Sequence, residues 1–298
     1  MRFRELHRKD VTTTIRSEAK LRGSPTVGKL PFMERPFQHF LSHYSVSAES
    51  VDLQTLRQIA RAFSFLPYEN ITKILKESHS TDPQYKLRQA GEVVEDHLRW
   101  RTGGTCFSLC NALQNVLEQS GFRSFIAMGD MHYGANIHCA VIVELEEGRF
   151  LLDPGYLLHA PIPLPLEDGE SRQKTSMNTI FLRSENAHVF SLYTLEMGQM
   201  KWRYRLRAVR ISQGEFTQHW LRSFSLNSME NVMISRLEDG SRIYFRKDRL
   251  DFVGQGKRQK WIIKGSEIGE LSAIFDLPAD LIRKAQTALL SRRALKHP

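Results

Sequence analysis

The stretch GGTCFSLCN (residues 103–111) places a cysteine two residues after a pair of glycines. Apolar residues then recur at helical spacing, as at Leu109 and Leu113, and Gly121 stands where a helix commonly ends. The pattern predicts a buried helix with Cys106 at its N-terminus. The amides and dipole of a helix N-terminus lower the pKa of a thiol, and the glycines allow a ligand to approach the backbone.

Two strand-like runs follow this helix. HCAVIVEL opens on His138, and RFLLDPGY places Asp153 at the end of its apolar run, with the turn EEG between them. The two runs therefore predict an antiparallel hairpin. Because the start of one strand lies beside the end of its partner, we expect His138 and Asp153 to be neighbours, with Cys106 packed against them.

A thiol, an imidazole and a carboxylate in contact form a catalytic arrangement. The imidazole takes the proton of the thiol, and the resulting thiolate attacks carbonyl carbon. The carboxylate holds the imidazole in one tautomer and stabilises its positive charge. The sequence therefore predicts an acyl-transfer enzyme that forms a thioester on Cys106 and uses His138 and Asp153 to do so.

Composition agrees with a folded enzyme of two or more domains. The chain has 298 residues, of which 41% are hydrophobic and 25% charged, and no apolar run is long enough to span a bilayer. Its three cysteines are too few for a disulfide framework, which predicts a reducing cytoplasm. The net charge of +9 is concentrated in residues 1–35, 242–264 and 281–298, and we interpret it as solvated surface without a nucleic-acid or membrane partner.

The order of the predicted elements indicates an α+β fold. It predicts an N-terminal helical bundle that carries Cys106, then a small β-barrel-like domain, then a C-terminal α/β segment. The run KWRYRLRAVRI alternates as a half-buried strand with Tyr204 on its inner face, whereas the Pro-rich, polar region 160–195 is interpreted as an interdomain connection. The predicted boundaries are an extension (1–35), a helical domain (36–122), a β domain (123–225) and a C-terminal α/β lid region (226–298).

Four ordered motifs resemble the arylamine N-acetyltransferases, a family within the transglutaminase-like cysteine protease superfamily. They are LPYENI (Leu66–Ile71), GGTCF (Gly103–Phe107), IHCAVIV (Ile137–Val143) and LLDPGY (Leu151–Tyr156). The resemblance extends over about residues 37–277. It implies that the family's catalytic triad falls on Cys106, His138 and Asp153, and that the glutamate of its first motif falls on Glu69.

The chain departs from the family pattern beside the cysteine. The family has an arginine before the two glycines, but here Thr102 occupies that place and Arg101 stands one residue earlier. Buried charges need partners, so we expect the ion network beneath the site to be rebuilt, with Arg101 paired to Glu69. Gly103 and Gly104 are expected to support the loop.

The resemblance also implies substrates and the residues that hold them. Acetyl-CoA or another acyl-CoA is the expected cosubstrate, an arylamine, hydrazine or related amine the acceptor, and no cofactor is bound permanently. Ser223 and Ser225 lie where the family contributes to its CoA site. The expected walls of an acceptor pocket are aromatic: Phe107, Phe125, Tyr133 and Tyr156.

Other functions stay open at this point. A transglutaminase-like hydrolase or an amide synthase would use the same triad, and an inactive homologue would only bind its ligands. Cys106, Cys110, Cys139 and His138 would form a zinc site only if all four converged. Because Cys139 and His138 are adjacent on a strand and are expected to point to opposite faces, no metal site is predicted.

Overall fold

Helices form the part of the chain that precedes the large sheet. The computed structural model describes residues 35–80, 82–254, 256–264 and 266–296. Its helices in this part are α1 (Arg35–His43), α2 (Leu53–Phe63), α3 (Ile71–His79), α4 (Pro83–Lys86), α5 (Ala90–Trp100) and α6 (Cys106–Gln119). As predicted, α6 begins at Cys106, and its apolar face is buried against the large sheet.

An eight-stranded antiparallel sheet forms a nearly closed barrel. Its strands are β2 (Arg123–Met131), β3 (Gly134–Leu145), β4 (Gly148–Leu152), β5 (Ile162–Pro163), β6 (Glu170–Lys174), β7 (Thr179–Asn186), β8 (Val189–Glu196) and β9 (Gln199–Arg207). They pair in the order β5-β4-β3-β2-β9-β8-β7-β6, and the two edge strands approach each other. Leu182, Leu192 and Tyr204 are among the fully buried residues that fill the barrel.

A second antiparallel sheet has five strands and belongs mainly to the C-terminal part. Its order is β1-β10-β11-β12-β13, with β1 (Tyr68–Glu69), β10 (Met233–Glu238), β11 (Ser241–Arg246), β12 (Arg249–Gly254) and β13 (Lys257–Ile262). The remaining helices are α7 (Gln213–Arg222), α8 (Ile268–Phe275) and α9 (Ala279–Lys296). None of the described helices is long and apolar enough to cross a membrane.

The first motif ties the helical part to this second sheet. Asn70 follows β1, and its side-chain amide donates to the carbonyls of Ser228 and Asn231, each at 2.8 Å. Its side-chain oxygen accepts from the backbone N–H of Met233 at 2.8 Å. One side chain therefore satisfies three backbone groups at the start of β10 and fixes where the two parts meet.

The structure corrects two expectations about the barrel. The strand that carries His138 begins at Gly134, so His138 lies inside β3 and not at its start. Region 160–195 is not a connection, because it forms strands β5 to β8. Its polar residues belong to strands with a solvent-facing side, as the alternating exposure of β6 illustrates.

The mixed fold with its barrel-like sheet agrees with the predicted class. The four domain boundaries stay predictions. The predicted extension, residues 1–35, lies outside the described residues except for the backbone of Arg35. On β9 the predicted alternation holds after Trp202: Tyr204 and Leu206 are buried, whereas Arg203, Arg205 and Arg207 each form an ion pair with a carboxylate. Trp202, expected on the same inner face, is exposed, because the pairing with β8 shifts register beside it.

Candidate active site

Cys106 is held where the first turn of α6 meets the barrel. Its side chain is buried, and its Sγ lies 4.0 Å from the carbonyl oxygen of Ile137 on β3. A Cβ atom at position 155 would stand 2.6 Å from the Cβ of Cys106, so only glycine lets the turn after Asp153 come this close. Gly155 therefore brings the end of β4 against the cysteine.

His138 and Asp153 form the buried pair that the hairpin predicted. Nε2 of His138 lies 2.7 Å from Oδ2 of Asp153, and Asp153 is fully buried. The other carboxylate oxygen accepts from the backbone N–H of Tyr156 at 2.9 Å, which fixes the carboxylate plane. With Nε2 occupied, Nδ1 is the nitrogen left to hydrogen-bond Cys106.

Tyr204 closes the barrel side of the imidazole. Its ring centroid lies 4.5 Å from that of His138, and the residue has no exposed surface. Burial, together with the negative charge of Asp153, raises the pKa of Tyr204 well above its usual range, so the phenol stays neutral. The alternation of β9 placed Tyr204 on the inner face, but nothing in the sequence indicated its contact with His138.

These contacts shift the pKa values of the thiol and the imidazole in opposite directions. A hydrogen bond with Cys139, helped by His138 and by the charge of Lys73, holds the pKa of Cys106 well below its usual range although burial opposes it. Burial by itself would lower the pKa of His138, but the charge and hydrogen bond of Asp153 outweigh it and raise that pKa well above its usual range. The site therefore favours a thiolate–imidazolium pair at neutral pH.

Cys139 and His138 are neighbours on β3, and each has a different environment. His138 packs against Tyr204 of the barrel, whereas Cys139 is buried beside α6, where the Sγ of Cys110 donates to its carbonyl at 3.2 Å. Within the described ranges, no group of three or more His, Cys, Asp and Glu side chains is arranged to hold a metal ion.

The expected pairing of Arg101 with Glu69 is wrong. Arg101 ends α5 in the left-handed conformation (φ 58°), which turns its side chain to the surface, whereas Glu69 is fully buried. The two oxygens of Glu69 instead accept from Thr72, one from its hydroxyl at 2.7 Å and one from its backbone N–H at 2.9 Å.

Arg88 supplies the buried positive charge of this network. It is 3% exposed, and its guanidinium donates to the Thr72 hydroxyl at 3.1 Å, to Asp96 at 2.7 Å and to the carbonyl of Gly103. Thr72 therefore bridges Arg88 and Glu69, and Arg88 braces the loop before the cysteine. Residue spacing gave no signal for this role, since Arg88 lies in a polar segment between two helices.

The same loop is held from a second direction by a neutral histidine. Nδ1 of His97 donates to the carbonyl of Thr102 at 2.9 Å, which leaves Nε2 to accept from the hydroxyl of Tyr44 at 2.5 Å. Burial lowers the pKa of His97 to about 4. Gly103 completes the loop, because a Cβ there would lie 1.9 Å from the carbonyl oxygen of Pro67. Gly104, the other predicted support, donates its backbone N–H to that oxygen at 3.3 Å.

A cavity of about 660 Å³ opens onto Cys106 and His138. Of the predicted walls, Phe107, Tyr133 and Tyr156 line it, and so do Ser223 and Ser225. Phe125 does not, because it points into the barrel core. The hydroxyl of Ser223 is already engaged: it accepts from the ammonium of Lys73 and donates to the carbonyl of Trp220, both at 2.5 Å.

Sequence reasoning missed the cations of this cavity. Lys73, Arg242 and Arg246 line it together with the catalytic candidates. Lys73 lies only two residues after the LPYENI motif, yet nothing in that motif indicates that its side chain is buried toward the cysteine. Arg242 and Arg246 alternate along β11, and that spacing could have placed both on one face of the sheet.

A family model described as N-acetyltransferase matches residues 52–277. One curated relative is an uncharacterised acetyltransferase, YvcN, of Bacillus subtilis strain 168, which is 30% identical over 122 residues. That alignment covers 38% of this chain and 44% of YvcN, so the chain matches less than half the length of this relative.

Solved structures share the fold. An arylamine N-acetyltransferase from Mycobacterium abscessus superposes with a TM-score of 0.71 at 19% identity, over 85% of this chain and 94% of that one. The enzyme from Mycobacterium marinum in complex with CoA gives 0.71 at 17% identity, over 85% and 98%. The enzyme from Salmonella typhimurium gives 0.68 at 17% identity, with the same coverage.

Proposed function

The chain belongs to the N-acetyltransferase family and is an acyltransferase, and from this premise we propose that it carries an acyl group from acyl-CoA to an arylamine, hydrazine or related amine through a thioester on Cys106. The observation that supports this proposal best is the buried contact of 2.7 Å between His138 and Asp153, with the imidazole against a thiol of lowered pKa. Location in the cytoplasm stays part of the proposal.

The first half-reaction acylates the cysteine. The thiolate of Cys106 attacks the thioester carbon of acyl-CoA, and amides at the N-terminus of α6 stabilise the oxyanion. The carbon–sulfur bond to CoA breaks, and His138 gives its proton to the departing CoA thiolate. Asp153 stays ionised and keeps Nδ1 of His138 directed at the sulfur.

The second half-reaction transfers the acyl group to the amine. The amine nitrogen attacks the thioester carbon, neutral His138 accepts the amine proton, and the Cys106 thiolate leaves. Water competes for the same thioester, so the walls of the cavity must favour the amine. Phe107 and Tyr156 are suited to that task, because their side chains line the cavity beside the cysteine.

The direct test is intact-mass analysis after incubation with acetyl-CoA. The wild-type protein should gain the mass of one acetyl group, and the Cys106→Ala variant should gain none. Cys110→Ala is the matched control and should still be acetylated, because Cys110 is buried one turn further along α6 and burial raises its pKa. An adduct that persists on Cys106→Ala would refute the assignment.

The fate of the adduct separates the transferase from the alternatives. Addition of aniline should discharge the acetyl group from wild-type protein and yield acetanilide. Equal discharge with and without aniline, with free acetate as the product, would instead identify a hydrolase. Failure to form an adduct with any acyl-CoA donor would indicate an inactive homologue.

A further inference from the structure

Lys73 is a buried cation that forms no ion pair with a carboxylate in the part of the chain that the structure describes. Its side chain is 6% exposed, its Nζ donates to the neutral hydroxyl of Ser223 at 2.5 Å, and it lies 4.4 Å from the centre of the Phe224 ring. An ammonium carries three protons, so this arrangement leaves donors for a ligand. The nearest acid on the same helix, Glu77, is held by Arg292 at 2.7 Å.

The cavity that Lys73 lines has cationic but no acidic walls. Its lining includes Lys73, Arg242 and Arg246, and no Asp or Glu among the described residues. No carboxylate in the described ranges forms an ion pair with any of these three cations. Burial lowers the pKa of Lys73 to about 8, so the ammonium still forms at pH 7 but at a desolvation cost that a negative charge in the cavity would offset.

The reaction itself removes the thiolate of Cys106, whose charge favours the ammonium of Lys73 in the resting site, and the other acid that acts on Lys73, Glu77, is already paired with Arg292. Lys73 is among the charges, after Cys139 and His138, that hold the pKa of Cys106 low, which puts its ammonium within electrostatic reach of the sulfur. Acylation turns the thiolate into a neutral thioester. From then on the described contacts of the ammonium are a neutral hydroxyl, that of Ser223, and the ring of Phe224, unless the acyl group carries a charge of its own.

We infer that the acyl group transferred by this site ends in a carboxylate, which binds the ammonium of Lys73. The preferred donor is then an ω-carboxyacyl-CoA, the CoA thioester of a short dicarboxylic acid. This inference rests on the proposed function, and it specifies the acyl donor, which the family assignment leaves open.

The CoA phosphates do not account for Lys73. The pantetheine arm separates those phosphates from the reacting carbon, whereas Lys73 lines the cavity with Cys106 and its charge helps to lower the pKa of that thiol. Arg242 and Arg246 are the better partners for phosphates, because both are half-buried on β11 and line the same cavity. The CoA phosphates are therefore assigned to Arg242 and Arg246 on β11, and the carboxylate of the acyl group is assigned to Lys73 on α3.

The chemical step is unchanged by the added carboxylate. The Cys106 sulfur forms a bond to the thioester carbon, the bond from that carbon to the CoA sulfur breaks, and His138 protonates the CoA thiolate. The distal carboxylate keeps its charge throughout and is not a reactant. Its ion pair with Lys73 orients the acyl chain along the cavity.

The test compares donors that share the same CoA portion. kcat/KM for CoA release is measured with acetyl-, malonyl-, succinyl- and glutaryl-CoA at a fixed concentration of aniline. Wild-type protein should use at least one carboxylated donor about tenfold or more better than acetyl-CoA. The chain length that gives the largest preference reports the distance from the sulfur to Lys73.

Variants then assign the preference to Lys73. Lys73→Met should lower the ratio of the best carboxylated donor to acetyl-CoA by about tenfold or more. The matched control is Lys76→Met, on the same helix, where the lysine is exposed enough to pair with Glu92 at 3.0 Å; its ratio should equal that of wild type. Arg246→Gln should weaken all four donors alike and leave the ratio unchanged.

Three results would overturn the inference. The first is a wild-type protein that uses acetyl-CoA as well as any carboxylated donor. The second is a Lys73→Met variant that loses all donors equally, which would make Lys73 a CoA-binding or structural residue. The third is a Lys73→Met variant that keeps the wild-type ratio among the acyl donors but changes the ratio of kcat/KM for 4-aminobenzoate to that for aniline as acceptor. Lys73 would then bind a carboxylate of the acceptor and not of the acyl group. Absence of CoA release and of acyl adduct with every donor would instead refute the proposed function.

Discussion

The two sides of Cys106 are supported by different kinds of hydrogen-bond network. On the barrel side, His138, Asp153 and Tyr204 contact the sulfur or the imidazole beside it. On the helical side, Arg88 and His97 hold the backbone of residues 102–103 and do not touch the sulfur. The first side sets the charge of the thiol, and the second sets its position. Substitutions on the barrel side should therefore lower activity, and those on the helical side should lower stability.

The largest expected effect belongs to Asp153→Asn. An amide cannot hold the imidazolium as a carboxylate does and favours the wrong tautomer, so kcat/KM should fall by about 10⁴-fold. The free energy of unfolding should change by no more than about 2 kcal/mol, since Asn keeps an oxygen for the backbone of Tyr156. Activity assays and urea unfolding measure the two quantities.

Asp168→Asn is the matched control, since Asp168 is exposed in the turn before β6. It should retain wild-type kcat/KM and stability. The opposite result is an Asp153→Asn protein that is partly unfolded but whose folded molecules have nearly wild-type activity. Asp153 would then be a structural residue, and the distinction between the two sides of Cys106 would be wrong.

Arg88→Met should lower the free energy of unfolding more than it lowers the activity of the folded protein. It leaves the Gly103 carbonyl and Asp96 without their charged donor, and removal of one partner from a buried charge network costs about 3–5 kcal/mol. Urea unfolding measures this loss, with exposed Arg57→Met on α2 as the control that should change stability by less than about 0.5 kcal/mol. A fully stable Arg88→Met variant would contradict the role given to the helical side.

The third effect tests what His138 does to the thiol. Without the imidazolium, Cys106 in His138→Gln should titrate nearer an ordinary buried thiol, so alkylation by iodoacetamide at pH 7 should slow by about 100-fold. The rate should regain its wild-type value only at higher pH. Exposed His188→Gln should alkylate at the wild-type rate, and so should the folded fraction of Arg88→Met. Slow alkylation of Arg88→Met would remove the distinction between the two sides.

The barrel side was largely predictable from sequence, and the reason is local. The apolar runs in HCAVIVEL and RFLLD, with the turn EEG between them, predicted a hairpin, and the hairpin brings His138 and Asp153 together. The position of Cys106 at the N-terminus of a buried helix was predicted from the glycine pair and from the apolar stripe of α6. Each of these signals spans fewer than about 20 residues, within the range over which secondary-structure periodicity can be recognised.

The helical side was not predictable, because its contacts join segments that no pattern relates. Arg88 reaches Thr72 and Gly103 across separate loops, and its burial depends on how α3 and α5 pack. Arg101 was the nearer candidate in sequence, but the left-handed turn that ends α5 directs it to solvent. The burial of Lys73 was not predictable for the same reason, because its ammonium contacts Ser223, which lies 150 residues away in the sequence.

The smallest effect is a pH dependence of stability carried by His97. Its pKa is about 4 in the folded protein against 6.5 for a free histidine, so below pH 6.5 the unfolded chain binds a proton that the folded chain excludes. Stability is complete above pH 6.5 and falls as the pH drops toward 4, by about 2 kcal/mol between pH 7 and pH 5. Urea unfolding at both pH values should show this loss in wild type and in the exposed control His39→Gln, and His97→Gln should abolish it at the expense of lower stability at pH 7. If His97→Gln keeps the full pH dependence, the loss arises elsewhere, and the neutral link between Tyr44 and Thr102 does not hold the helical side of the site.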